Sequence, residues 1–463
     1  MKTDWTFELI ADICKGRILK SGNGKITGFS KDTRSIKPNN VYIALNGENF
    51  DGHDFVSKAI AAGASGLIVS KDVVLPANCD AFVIKVNDCL KALQDCAAFY
   101  RKNHEGFFIA VTGSNGKTTT RAMLQQILSQ NGNCYATSGN LNNHIGLPLT
   151  ILAAPTDADY IVLEMGMNHA GEIENLSKIA RPDLSLICNI GPAHIGNLGT
   201  IENIARAKAE IFSQLGRDGI ALAPSDAEYK DIFSQSTKAK IIYFGMNNQP
   251  DYKLIDLKAD LDSISFAVKH REISYSCRLP LAGRHNAFNA MAALATCNQI
   301  GLDLEQCCRS LQNFRAVNAR MEKLVKDGIS ILLDCYNANP ASTNEALKYL
   351  DLCNSPRIAV LGDMKELGAH SKALHIQTGN LVAELSIDFL ITVGTEAAFI
   401  SEGAIKNGMK KECVFSLKSN PQAAELLKEK LKTGATILFK ASRGMHFEKI
   451  IRSIWPELAE DLH

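Results

Sequence analysis

The run Ala110-Val-Thr-Gly-Ser-Asn-Gly-Lys-Thr-Thr-Thr constrains this chain more than any other. It follows the apolar stretch Phe107–Val111 and leads into a helical pattern predicted over about 117–131. Gly113 and Gly116 allow backbone N–H groups to turn inward around phosphate oxygens, and the new helix adds its positive end. Lys117 is placed to reach the β- and γ-phosphates, and the Thr118 hydroxyl can ligate Mg²⁺. Ser114, Asn115 and Thr119 complete the loop. Val111 stands where the first glycine of GxxxxGK[ST] is usual, leaving GxxGKT. Gly-rich strand–helix turns are common, so the glycines alone say little. Strand context plus Gly-Lys-Thr favours an ATP site on a parallel sheet.

At 463 residues the chain exceeds one core, because domains usually run to about 100–200 residues. Residues 1–86 read as a small α/β domain, with a strand at Val41–Leu45, a helix near 54–63 and a strand from Gly66. Residues 87–315 alternate strands and helices as a parallel sheet demands. The predicted strands are Phe107–Val111, Tyr160–Glu164 and Leu184–Asn189, with helices at Ile201–Leu215 and Asn286–Ile300 and an antiparallel stretch over about 240–280. Residues 316–463 repeat a doubly wound, Rossmann-like pattern, with strands at Ile329–Asp334, Arg357–Leu361, Phe389–Val393 and Thr436–Phe439. The expected fold is therefore three-domain α/β, with a P-loop-type parallel sheet at its centre.

A formal charge of +1 gives no electrostatic footprint for nucleic acid or an anionic membrane. No stretch approaches ~20 uninterrupted apolar residues, and the first residues lack a leader's apolar core. The thirteen cysteines include no CxxC pair, which suits reduced thiols. A cytoplasmic protein without membrane insertion is expected. With no coiled coil in the sequence, a monomer is expected.

Glu164 ends an apolar strand, and His194, in Asn189-Ile-Gly-Pro-Ala-His, follows the next one. Both would emerge at the sheet's carboxyl edge beside the loop, where Mg²⁺ could use a carboxylate together with phosphates. Taken singly, a strand-end Glu is usually solvated and a loop His is usually a surface residue. Lys208 lies in Ala205-Arg-Ala-Lys-Ala-Glu, and a helix lysine ordinarily faces solvent.

These pieces together resemble the Mur ligase family: Thr112-Gly-Ser-Asn-Gly-Lys-Thr-Thr, Glu164-Met-Gly-Met-Asn, Asn189-Ile-Gly-Pro-Ala-His, Ala207-Lys-Ala-Glu, Gly283-Arg-His-Asn-Ala-Phe-Asn, Arg320-Met-Glu and Asp334-Cys-Tyr-Asn-Ala-Asn-Pro. They occur in family order along essentially the whole chain. The resemblance implies an ATP-dependent amide ligase acting through an acyl phosphate. Gly139-Asn-Leu-Asn-Asn-His-Ile-Gly-Leu-Pro, Leu361-Gly-Asp-Met-Lys-Glu-Leu-Gly and Lys440-Ala-Ser-Arg-Gly-Met are most similar to members that join D-Ala-D-Ala to UDP-MurNAc-tripeptide. The Asp-Asn-Pro-Arg motif of the tripeptide-forming members does not occur.

The resemblance further implies catalytic roles for Lys117, Lys208 and Arg320. ATP would be held by residues 113–119 with Asn286, Asn289, Arg320 and Asp334. Metal, two Mg²⁺ ions, would be held by Thr118, Glu164, His194 and Lys208, the last if carbamylated. UDP-sugar and acceptor contacts would come from Thr33, Arg34, Glu48, Asn49, Phe50, Asn140 and Asn143. His144 stands where relatives often carry an acidic residue. The rival readings are the tripeptide-forming sister, folylpolyglutamate synthetase, and a P-loop regulator or transport ATPase without ligation.

Overall fold

The computed structural model describes residues 4–22, 24–47, 50–226, 228–315 and 321–459. Three sheets lie along the chain. The first has the spatial order Arg17–Lys20, Phe82–Lys85, Gly66–Val69, Asn40–Ile43, Gly28–Ser30. Its members pair in parallel apart from the antiparallel first strand. The inner strands Asn40–Ile43 and Gly66–Val69 are buried throughout. Continuous apolar runs of this kind are what a sheet covered on both faces requires. The helix expected over 54–63 is split into a 3₁₀ turn at Gly52–Phe55 and an α-helix at Val56–Ala61.

The helix Cys89–Lys102 starts on the cap of Asp88, whose Oδ1 accepts the N–H of Leu90 at 2.8 Å. Leu93, Cys96 and Ala97 belong to one core shared by the first sheet (Phe82, Ile84) and the second (Phe108, Leu163). The Tyr100 hydroxyl donates to the Ala154 carbonyl at 2.6 Å, so this helix joins the first two units.

The central sheet runs Ile273–Leu279, Ile264–His270, Tyr252–Ala259, Lys240–Gly245, Ile220–Pro224, Leu184–Ile187, Phe107–Thr112, Tyr160–Glu164, Cys134–Ala136. Lys240–Gly245 pairs in parallel with both neighbours, so the antiparallel stretch begins only at Tyr252. That corrects the expectation for 240–280: the polar alternation there marks exposure near an edge, not strand direction. Phe107–Thr112 lies between Leu184–Ile187 and Tyr160–Glu164. The chain order reverses at this strand, which makes its carboxyl end the crevice where open α/β sheets bind ligands.

In the third sheet the order is Glu322–Lys326, Ile329–Asp334, Thr436–Lys440, Arg357–Gly362, Phe389–Val393, Val414–Leu417. All pairings are parallel except the hairpin formed by the first two strands. Glu322–Lys326 and Val414–Leu417 were not legible as strands. Both are edge strands: Glu322–Lys326 alternates between half-buried and exposed residues with little apolar content, and Val414–Leu417 is only four residues long with no fully buried position. All thirteen cysteines stand as free thiols. Among the described residues, no helix is long and apolar enough to cross a membrane.

Candidate functional site

Gly116 caps the Lys117–Leu128 helix with φ +77°, in the left-handed region, and a Cβ there would collide with Asn289 Oδ1. Glycine is thus required twice at this position, by backbone conformation and by crowding. Asn289 Nδ2 donates to Asn286 Oδ1 at 3.1 Å, and Asn286 Nδ2 to the Ala282 carbonyl at 2.7 Å. The expected ATP residues 113–119, Asn286 and Asn289 therefore form one contiguous patch. A cleft of about 610 Å³, lined by Leu281, Ala282, Phe314, Met321 and Tyr349 among others, opens beside it.

The loop is laced to the segment after Leu184–Ile187. Asn189 accepts the Asn115 N–H at Oδ1 (2.9 Å) and donates from Nδ2 to the Asn115 carbonyl (3.0 Å). The Ser114 hydroxyl donates to the Gly191 carbonyl and accepts the Gly191 N–H, both at 2.9 Å. Asn189 was quoted within a motif but not singled out. Its place directly beyond a parallel strand neighbouring the loop was the available signal. Lys117 Nζ donates to the Gly113 carbonyl at 2.7 Å, folding the side chain over the loop.

Glu164 is 2% exposed, not solvated as an isolated strand-end carboxylate would be. Its Oε1 accepts from Asn142 Nδ2 at 2.8 Å, Oε2 has no hydrogen-bond partner among the described residues, and Arg121 Nε lies 3.8 Å from Oε2. A buried carboxylate oxygen without a partner is costly unless a cation or donor satisfies it. Lys208 is 1% exposed, against the ordinary expectation for a helix lysine. The α-helix Ile201–Ala209 continues as a 3₁₀ turn, Glu210–Phe212, rather than running unbroken to Leu215. Lys208 shares its buried face with Ile204 and Ile211. That i, i+4, i+7 spacing was legible in the sequence. Burial, and after it the charge of Lys117, holds the Lys208 amine well below the ordinary lysine range. Burial pushes the Cys188 thiol up to about 11, and the charges of Lys117, Glu164 and Lys208 all act on it. These three groups therefore all lie in the neighbourhood of Cys188.

His194 caps the short helix Ile195–Leu198 in the left-handed region, φ 61°. Its Nδ1 lies 2.5 Å from Glu366 Oε2 of the third unit. Among the described residues, no three His, Cys, Asp or Glu side chains gather as a metal cluster. The donor set is thus sparse: Thr118, Glu164 and His194. It fits Mg²⁺, which keeps waters and takes phosphate oxygens beside one or two carboxylates.

The third sheet presents its own carboxyl edge to the loop. Asp334 Oδ2 accepts from Lys440 Nζ at 2.6 Å, and that lysine, 1% exposed, also donates to the Asn337 carbonyl at 3.1 Å. Asn339 caps the Pro340–Asp351 helix through Oδ1 and donates from Nδ2 to Asn115 Oδ1 at 2.6 Å. His285 is half-buried, and desolvation holds its imidazole below the usual range although the carboxylates of Glu345 and Asp334 oppose this.

The expected acceptor residues do not gather in the same way. Asn140 and Asn143 are exposed, and Asn143 Oδ1 accepts the N–H groups of Ile145 (3.2 Å) and Gly146 (2.9 Å) at the start of the Gly146–Ala153 helix. It is Asn142 that reaches Glu164. In the first unit, Arg34 forms a fork with Asp32, Thr33 is half-buried and Phe50 is 57% exposed. Glu48, Asn49 and Arg320 lie outside the described residues.

Comparison with known proteins agrees with this geometry. Family models match residues 25–101 (Mur ligase family, catalytic domain), 111–297 (Mur ligase middle domain) and 319–443 (Mur ligase, glutamate ligase domain). The chain is 37% identical over 455 residues to UDP-N-acetylmuramoyl-tripeptide--D-alanyl-D-alanine ligase of Bacillus subtilis, covering 97% of this chain and 98% of that one. A crystal structure of MurF from Acinetobacter baumannii superposes with a TM-score of 0.89 at 31% identity, covering 98% of this chain and 99% of that one. MurF from Thermotoga maritima, solved in complex with ADP, superposes with a TM-score of 0.81 at 27% identity, covering 94% of this chain and 98% of that one. With a phosphate loop, a buried carboxylate and a buried lysine near it, and relatives matched from end to end, the chain belongs to the Mur ligase family.

Proposed function

We propose that this protein joins D-alanyl-D-alanine to UDP-MurNAc-tripeptide, with ATP cleaved to ADP and phosphate. The observation that carries this reading is the convergence of three strand ends on one loop. The ends after Thr112, Glu164 and Ile187 meet at residues 113–118, with a third-unit side chain, Asn339, already bonded to Asn115. End-to-end similarity to ligases of that name supplies the substrates.

A carboxylate does not react with an amine at neutral pH because its oxygen is too poor a leaving group. Attack of the tripeptide carboxylate on the γ-phosphorus displaces ADP and gives an acyl phosphate. The dipeptide amine then adds to the carbonyl, loses a proton, and expels phosphate carrying one former carboxyl oxygen. For the first step the protein's work is alignment and neutralisation of charge. Residues 113–119 cradle the phosphates and Lys117 supplies positive charge. Asn286 and Asn289 would meet the base, Asp334 would meet the ribose, and Arg320 would contribute its charge to the phosphate. Thr118, Glu164 and His194 would hold Mg²⁺, whose contribution is neutralisation of phosphate charge. Burial disfavours the charged form of the Lys208 amine, and it is the neutral form that can take up CO₂ as a carbamate, releasing a proton. The resulting carboxylate would serve a second ion. Thr33, Arg34, Glu48, Asn49, Phe50, Asn140 and Asn143 would bind the UDP-sugar and acceptor. The reading is of a cytoplasmic monomer.

Closure of the third unit over the loop would keep water from the acyl phosphate. The test is mass spectrometry of the product formed from UDP-MurNAc-tripeptide, D-Ala-D-Ala and ATP, with ¹⁸O in the tripeptide carboxyl. Pentapeptide and labelled phosphate are expected. Unlabelled phosphate, or hydrolysis of ATP independent of the dipeptide, would overturn the reading.

A further inference from the structure

The loop after the Arg357–Gly362 strand crosses from the third unit into the central one. Met364 and Leu367, each 2% exposed, belong to the same core as Ile195 and Ile204 of the central unit. Between these anchors stands Glu366, with φ +66°. Opposite it stands His194, also left-handed at φ +61°. Such a conformation costs free energy for any residue but glycine, and it persists only where the surroundings over-determine it.

The backbones are locked together. The Gly196 N–H donates to the Glu366 carbonyl at 3.0 Å. A Cβ on Gly368 would lie 2.8 Å from Gly196 Cα, and one on Gly196 would lie 2.8 Å from the Glu366 oxygen. Two glycines thus permit a main-chain approach that any other residue would hold apart. The outcome is Glu366 Oε2 at 2.5 Å from His194 Nδ1. The carboxylate lies off the direction of a well-aligned N–H bond, since Nδ1 has no geometrically satisfied hydrogen bond.

We propose that Glu366 is a positioning residue, delivered by docking of the third unit, that fixes the His194 ring with Nδ1 toward the carboxylate and leaves Nε2 for the metal. This rests on the reading of His194 as a metal residue. Metal-bound histidines commonly carry a carboxylate on their other ring nitrogen, and loss of such a partner typically costs 10–100-fold in metal affinity. Here that partner comes from a different domain, so the cation site is complete only when the third unit is docked.

The experiment is titration of the full chain with Mn²⁺ alone, followed by electron paramagnetic resonance, beside steady-state measurement of the Mg²⁺ activation constant and the KM for ATP. The Glu366 side chain is 45% exposed, so Glu366→Gln and Glu366→Ala are expected to melt as the wild type does. Both should weaken Mn²⁺ binding about 10-fold or more and raise the Mg²⁺ activation constant with the ATP KM little changed. Glu366→Asp should recover part of the loss. Gly368→Val, which keeps the carboxylate but blocks the approach, should lose Mn²⁺ affinity to the same degree and scatter X-rays as a more extended particle. Wild-type Mn²⁺ affinity in Glu366→Ala, while His194→Ala loses it, overturns the positioning role alone. Unchanged affinity in His194→Ala overturns the metal reading beneath it. Retained affinity in an extended Gly368→Val overturns the link to docking.

Discussion

Two sheet edges in this molecule are expected to hold anionic ligands, and they are built in opposite ways. At the central edge the ionisable groups are buried: Glu164 is 2% exposed and Lys208 1%. At the first unit's edge the Arg34 side chain is 87% exposed and Phe50 57%. The central edge is therefore assembled before substrate arrives, its desolvation cost carried by the fold. The outer edge remains solvated, and its Asp32–Arg34 pair holds the Asp32 carboxyl at about 2 with little burial. Rigid preorganisation where charge develops, and adaptable surface where a sugar nucleotide is only held, is the division a ligase needs.

If that contrast is right, substitutions at the central edge act on turnover and those at the outer edge on binding. The largest effect is expected for Lys117→Met, with kcat lowered by about 10³-fold and acceptor KM little changed, since a preorganised charge is lost from the site of phosphoryl transfer. Lys208→Met comes next. Turnover should fall by roughly 10²-fold, while the melting temperature stays level or rises. Replacing a buried, neutralised amine by an apolar chain of similar length removes a desolvation cost. A drop in melting temperature matching the drop in rate would make Lys208 structural and erase the contrast. Asn142→Ala should weaken Mg²⁺ activation by about 10-fold by releasing Glu164 Oε1 from its donor, Asn142 Nδ2 at 2.8 Å.

The same contrast explains what could be read from the sequence. The strands Phe107–Thr112, Tyr160–Glu164 and Ile329–Asp334 were legible because buried parallel strands are continuous apolar runs. Lys117 and Thr118 were legible because their spacing to glycine is fixed by the loop, whereas Asn289 was legible only through the family resemblance of Gly283-Arg-His-Asn-Ala-Phe-Asn. Glu322–Lys326 was not, because an edge strand's pattern resembles a loop's. Asn189, Asn142 and Glu366 were also missed as site residues. Each acts by touching a residue distant in sequence, the Asn115 main chain for Asn189 and the Glu164 and His194 side chains for Asn142 and Glu366, and only the folded registers bring them together. Lys440 is a similar case: its partner Asp334 is adjacent only through the pairing of Ile329–Asp334 with Thr436–Lys440.

At the outer edge a binding effect is expected. Arg34→Ala should raise the KM for UDP-MurNAc-tripeptide about 5-fold, the modest effect of an exposed charge, with kcat unchanged. A fall in kcat at saturating substrate would place Arg34 in the chemistry and break the division between the two edges.

The smallest expected effect concerns acid. Asp51 lies next to Phe50, and its carboxylate accepts from Lys71 Nζ at 2.5 Å and from the His53 N–H at 3.0 Å, with His53 Nδ1 at 2.5 Å. Lys71 first, then the His53 N–H, hold this carboxyl far below its usual range. A carboxyl depressed in the folded state contributes stability that is fully present above the unfolded value of about 3.9 and is lost as pH falls through the folded one. Asp51→Asn should therefore lower the urea midpoint of the first unit slightly at pH near 7, with the gap to wild type closing in acid. Lys71 is 55% exposed, so solvent screens the pair and the gap stays small. A large gap at neutral pH would mean that the outer edge is held as tightly as the central one, and that its exposed charges are structural.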